Sequence, residues 1–205
     1  MIIAIAGNIG SGKTTLAQLL SKHLGFQAHF EEPETNPYIQ DFYNDMQRWA
    51  FHLQIYFLNH RLKHILNFQK KQLNVILDRT LYEDAEIFAH NLHNMNLLST
   101  RDYENYLELY NLIIELVPPP DLVIYLKASI STLVEQIQQR SRPYEENIRI
   151  DYLKKLNDRY NEWFHGYNIG KKLEINIDEL KFRDNQEHFS ILLNKINSTL
   201  FGLFG

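Results

Sequence analysis

The apolar run Ile2–Ala6 leads straight into Gly7-Asn8-Ile9-Gly10-Ser11-Gly12-Lys13-Thr14-Thr15, and no other stretch limits the fold of this chain as tightly. Gly7, Gly10 and Gly12 let successive backbone N–H groups turn toward one anion. A helix beginning there adds the positive end of its dipole. Lys13 has the reach for the outer phosphates of a nucleotide, and the Thr14 hydroxyl can ligate Mg²⁺. The pattern G-x-x-x-x-G-K-T works only between a buried strand and a helix, so it carries an expectation of fold as well as of ligand. Gly7, Asn8, Ile9, Gly10, Ser11, Gly12, Lys13, Thr14 and Thr15 are the expected nucleotide cradle.

The remaining chain alternates in the matching way. Strands are expected at Phe26–Phe30, Leu73–Leu77, Leu122–Leu126 and Leu173–Ile177. Helices are expected at Thr14–Leu24, Tyr38–Asn44, Arg48–Lys71, Leu81–Asn94, Thr100–Leu116, Ile130–Gln139, Ile150–Trp163 and Phe189–Leu200. The fold class is therefore α/β, a P-loop fold with a parallel sheet covered on both faces, in a single domain spanning 1–205. A net charge of −4 is opposite to the basic excess of a duplex binder, so no nucleic-acid partner is expected. No run approaches the roughly 18 apolar residues of a membrane span. The N-terminal apolar run is short and lacks a basic leader. With no cysteine in the chain, a reducing cytoplasmic location is the expectation.

A P-loop serves switch GTPases, ATPase machines and small-molecule kinases. A guanine-reading Asn-Lys-x-Asp is missing: Asn194-Lys195-Ile196-Asn197 lacks the Asp and lies in an amphipathic helix. The two most apolar later strands do not end in an acidic doublet, since Leu122–Leu126 runs into Lys127 and Leu73–Leu77 into Asp78-Arg79. A kinase remains the best reading. His60 and His64 stand one helical turn apart, the spacing of a helical metal pair, but lack an intervening Glu and read as a solvated face.

Four strings, GNIGSGKTT, EEP, DRTLYED and RSRPYEENIRIDYL, together with the Trp49…Gln54 spacing, resemble the deoxynucleoside kinase family from Met1 to about Ile177. NPY after the EP motif resembles its bacterial deoxyadenosine/deoxyguanosine branch most. The resemblance implies a five-stranded parallel sheet, a short lid at about 140–147, a homodimer, and transfer of the γ-phosphate of ATP, with Mg²⁺, to a nucleoside 5′-hydroxyl. Glu32, before Pro33, matches the general base; an extended chain would turn its neighbour Glu31 the other way. Asp78 matches the position that holds Mg²⁺ with Thr14, and Arg79 the arginine that contacts the 5′-oxygen. Arg140 and Arg142 resemble the lid arginines that meet the transferring phosphoryl group with Lys13. Gln54 matches the base-reading glutamine, Trp49 and Phe88 the aromatic walls, and Tyr43 with Glu145 the pair that binds the 3′-hydroxyl, Glu146 being the alternative. Arg61 and Asp84 match a charged pair that accompanies purine or deoxycytidine recognition.

Two positions depart from the pattern. Gln136 stands where a third lid arginine is common, and Pro37 where animal members carry a tryptophan. The dimer would use the helices Arg48–Lys71 and Leu81–Asn94. Two rival readings are a nucleoside monophosphate kinase and a catalytically silent nucleotide-binding partner subunit.

Overall fold

The computed structural model describes residues 1–31 and 35–202. Five parallel strands, β1 (Ile2–Gly7), β2 (Gln27–His29), β3 (Val75–Asp78), β4 (Leu122–Lys127) and β5 (Lys171–Asn176), form one sheet in the order β2-β3-β1-β4-β5. Strand β1 lies in the middle, and Ile3 through Ala6 are fully buried. Burial on both faces is the reason its sequence is uniformly apolar rather than alternating. Parallel neighbours require long crossovers, and helices supply them. These are α1 (Lys13–Leu24), α2 (Ile39–Asn44), α3 (Met46–Lys71), α4 (Leu81–Glu83), α5 (His90–Asn94), α6 (Thr100–Ile114), α7 (Ile130–Arg140), α8 (Ile150–Gly166) and α9 (Gln186–Phe201).

Local chemistry sets the boundaries. Gly25 ends α1 in the left-handed conformation, and its N–H donates to the Ser21 carbonyl. Asp45 caps α3 by accepting from the Arg48 N–H. At the other end Leu73 N donates back to the Phe68 carbonyl, so β3 begins at Val75 rather than at Leu73. The stretch Leu81–Asn94 is not one regular helix. A π-helical turn, Asp84–Ala89, separates α4 from α5. Such a wide turn often marks a functional site, and here Asp84 and Phe88 both face the cleft described below. A 3₁₀ turn, Pro143–Asn147, joins the region after α7 to α8.

The sheet order brings the carboxyl ends of β1, β2 and β3 side by side. Gly7, Glu31 and the Asp78-Arg79-Thr80 corner therefore share one edge of the sheet, the place where open α/β sheets bind ligands.

Candidate active site

The loop after β1 is pinned on both sides. The Asn8 side chain donates to the Leu153 carbonyl of α8 (3.0 Å) and accepts from the Ile9 N–H (2.8 Å). Gly10 has φ 84°, and a Cβ there would stand 2.8 Å from the Leu133 carbonyl oxygen and 2.9 Å from Ile137 Cγ1. Only glycine fits that contact with α7. Lys13 folds back over the loop and donates to the Asn8 carbonyl (2.8 Å). Burial, with the nearby Arg79 guanidinium, pushes the Lys13 ammonium down to about 7, against the pull of Asp78, Glu83 and Glu31. Thr14 Oγ1 donates to Asp78 Oδ2 (2.6 Å), while Asp78 Oδ1 is buried with no hydrogen-bond partner. A hydroxyl and a carboxylate side by side, with one buried oxygen unengaged, are a donor set of the kind Mg²⁺ takes.

Behind the cradle lies a buried network of charges. Glu31 accepts from Arg61 Nη2 (2.8 Å) through one oxygen and from Arg79 Nε (2.7 Å) through the other. Arg61 also grips Asp84 with two bonds, 2.6 and 3.1 Å long. Arg79 donates to the Gly7 carbonyl (3.1 Å) and to the Tyr160 hydroxyl (2.7 Å), and its guanidinium lies 4.7 Å over the Phe88 ring. Its backbone is left-handed at φ 76°. A non-glycine residue held there is strained, and surrounding contacts must enforce it. Burial pushes the Glu31 carboxyl up, but Arg79 and Arg61 outweigh it and hold it below the usual carboxylate range. Burial acts against the charge on Arg61, and Asp84 and Glu31 more than restore it.

Glu83 was not singled out by sequence, yet it holds this network together. It is fully buried, accepts from the Thr80 N–H (2.8 Å) and the Tyr160 hydroxyl (2.8 Å), and reaches the Gly7 N–H (3.3 Å). The readable signal was the capping box Thr80-Leu81-Tyr82-Glu83. Glu31 likewise turns into the cleft. Glu32, the expected base, lies outside the described residues.

A cleft opens from Lys13, Thr14 and Asp78 toward Gln54, Tyr43, Phe57 and Phe88. Gln54 is 2% exposed, and its Oε1 has no hydrogen-bond partner. A buried orphan acceptor facing a cleft implies a ligand donor. Tyr43 stacks near Tyr144, and Glu145, buried, faces the cleft, whereas Glu146 is exposed. Trp49 does not line the cleft; it packs against Tyr38 and His52. Phe42, Phe57 and Tyr152 supply walls that the sequence reading omitted.

Arg140 is bound to both oxygens of Glu145 (3.1 and 2.5 Å), and Arg142 Nη1 lies 3.8 Å from the same carboxylate. Both arginines also line a second cleft, on the far side of the P-loop, with Gly12, Thr15, Gln136 and Arg183. Phe182 and Leu180 extend that cleft past Ser11. Lys13, Thr14, Arg140 and Arg142 thus sit where the two clefts meet.

The family model described as deoxynucleoside kinase matches residues 3–201. The chain belongs to the deoxynucleoside kinase family. It is 34% identical over 201 residues to the deoxyadenosine/deoxycytidine kinase of Bacillus subtilis, covering 97% of this chain and 93% of that protein. It is 41% identical over 162 residues to the deoxyguanosine kinase of the same organism, covering 77% and 75% of the two chains. The deoxyadenosine kinase from M. mycoides with bound dATP superposes with a TM-score of 0.84 at 34% identity, covering 97% of this chain and all of that one. This chain is accordingly a phosphotransferase with a nucleotide donor and a deoxynucleoside acceptor. Among the described residues no helix is long and apolar enough to cross a membrane.

Proposed function

We propose that this kinase transfers the γ-phosphate of ATP to the 5′-hydroxyl of a purine deoxynucleoside, deoxyadenosine first and deoxyguanosine next. The observation that carries this reading is the junction of the two clefts at Lys13, with Gln54 and Asp84 lining one of them. Arg61 is not part of that lining; it stands behind Asp84 and holds it. The donor's phosphates lie on the Gly7–Thr15 backbone, with Arg140 and Arg142 closing over the transferring group. Thr14 and Asp78 hold Mg²⁺, which supplies charge neutralisation to the donor phosphates. At the acceptor end, Gln54 reads the edge of the base with its amide, Phe88 and Phe57 flank it, and Tyr43 with Glu145 holds the 3′-hydroxyl. Arg79 orients the 5′-oxygen.

Glu32 takes the 5′-proton. Glu31 is poorly suited to that task, because both its oxygens accept from guanidinium groups and its affinity for protons is lowered. It acts as a positioning residue for Arg61 and Arg79. Residues 140–147 close as a lid within a single domain, and the working form is a homodimer. The bacterial relatives named above support the choice of base: one is named for deoxyguanosine, the other for deoxyadenosine together with deoxycytidine.

A monophosphate kinase must hold an acceptor phosphate with cations. At the acceptor end Arg61 and Arg79 are already neutralised by Glu31, Asp84 and Glu83. A radiolabelled-phosphate assay with ATP across the four natural deoxynucleosides, AMP and dTMP distinguishes the readings. Labelled dAMP and dGMP are the expected main products. Label passing chiefly to AMP or dTMP overturns the proposal.

A further inference from the structure

The pair His60 and His64 does not stand on a solvated face. The face of α3 that carries it turns toward the edge strand β2, and His29 closes the group from there. All three side chains are half-buried. The His29 and His64 rings stack with centroids 3.9 Å apart, and His60 Nε2 lies 3.3 Å from His64 Nε2. One ligand nitrogen from each residue falls within 4.8 Å of the others. Among the described residues this is the one group of three such side chains with that geometry. Tyr56 stacks on the outer side of His60 (5.8 Å, 10°), and Phe68 meets the His29 ring edge-on (5.5 Å), so the imidazoles are walled by rings.

From these positions we propose that His29, His60 and His64 form a binding site for one Zn²⁺ ion, separate from the Mg²⁺ position at Thr14 and Asp78. Zinc binds imidazole nitrogen at about 2.0–2.1 Å in a tetrahedron, which places two ligand nitrogens about 3.3–3.4 Å apart. The His60–His64 separation already has that value. An i, i+4 pair on a helix is held there by the backbone, so only His29 moves, turning its ring out of the stack. Burial, His64 and Arg61 push the His29 imidazolium down to about 4, which leaves a neutral ring with a free lone pair near neutral pH. Imidazole ligands favour Zn²⁺ over Mg²⁺ and Ca²⁺, which take oxygen. The Arg61 positive charge beside the site is compensated by Asp84 and Glu31. Both Glu31 oxygens are engaged by arginines, so the fourth position is left to a solvent molecule.

The ion would tie β2 to the middle of α3. His29 is two residues before Glu31, so the bond steadies the strand end that carries the buried charge network. Occupancy of the site does not depend on phosphate transfer, and a kinase inactive for any other reason would still bind the ion.

The test is calorimetric titration of the untagged, chelator-treated full chain with Zn²⁺, with Co²⁺ absorption as a second readout. One ion per chain is expected, together with an intense visible Co²⁺ band of tetrahedral type and a melting temperature that rises with Zn²⁺ concentration. His60→Gln and His64→Gln should each weaken binding at least about tenfold, and His29→Asn should remove the Co²⁺ band. His165→Gln, on an exposed residue far along the chain, should change nothing. Absence of stoichiometric binding to the folded wild-type chain, or equal affinity in the wild type and the three site variants, overturns the proposal.

Discussion

The reactive residues of the site are set by what their neighbours do to their charge. Lys13 is the clearest case, since burial and Arg79 bring it down to about 7. At pH 8 the free protein holds it largely neutral, and a polyphosphate restores the charge. ATP binding without acceptor should therefore take up as much as about one proton at pH 8. Calorimetry in buffers of different ionisation enthalpy measures it; identical heats in all buffers would show a Lys13 already charged. The two adjacent glutamates separate by function in the same way. Glu32→Gln should keep ATP binding and lose roughly 10²–10⁴ in turnover, the usual weight of general base catalysis. Glu31→Gln should chiefly raise the KM for the nucleoside, because Arg61 and Arg79 lose a shared partner. Near-normal turnover in the Glu32 variant with a dead Glu31 variant would reverse the two roles. The position of Gln54, Asp84 and Glu145 at the cleft was legible in the sequence because each sits at a fixed step from a motif, whereas Arg61 stands behind Asp84 and outside the lining. Glu83 and the inward turn of Glu31 were not, since both depend on partners distant in the chain, such as Tyr160 for Glu83.

At the level of elements, the P-loop and the strand–helix alternation were readable because a buried parallel strand has a distinctive apolar run. The π-helical turn Asp84–Ala89 was not, because its apolar positions fit an ordinary helix equally well. The stretch after β5 carried no motif, yet it delivers Phe182 and Arg183 to the donor side of the P-loop. In the segment after α7, Glu145 holds Arg140 and lies close to Arg142. Arg140 can meet a transferring phosphate only by giving up its two bonds to Glu145. Amides of 140–147 should become protected from hydrogen exchange when a bisubstrate analogue binds. Equal exchange in free and bound protein would contradict a closing lid.

For the whole molecule, the expected dimer contact needs one correction. Leu81, Ala85, Ile87, Ala89 and Leu92 are all buried inside the chain, so Leu81–Asn94 has no apolar surface left to share. Leu109, Leu112 and Leu116, on and just beyond α6, are exposed along one helix face, and Leu66 on α3 is exposed as well; Met1, Ile150, Ile169, Ile191 and Phe201 are exposed elsewhere. A second copy would cover the α6 face. Light scattering at micromolar concentration should give twice the 24.4 kDa chain mass, and Leu109→Glu with Leu112→Glu should halve it. A monomeric wild type would contradict the dimer.

All three scales meet at the Arg61–Asp84 pair, where two residues, a π-helical turn and a long helix come together. On the proposed function this pair governs the choice of base. Two buried charges are stable here because each answers the other, and a purine edge can extend that bonding. Thymine brings a methyl group to the same space. The decisive measurement is kcat/KM for deoxyadenosine, deoxyguanosine and thymidine in the wild type and in the Arg61→Met, Asp84→Ala double variant. The wild type should favour the purines by roughly a hundredfold or more, and the variant should lose much of that preference while gaining thymidine. A wild type that phosphorylates thymidine as efficiently as the purines, or a folded variant with unchanged selectivity, would contradict this account of the pocket.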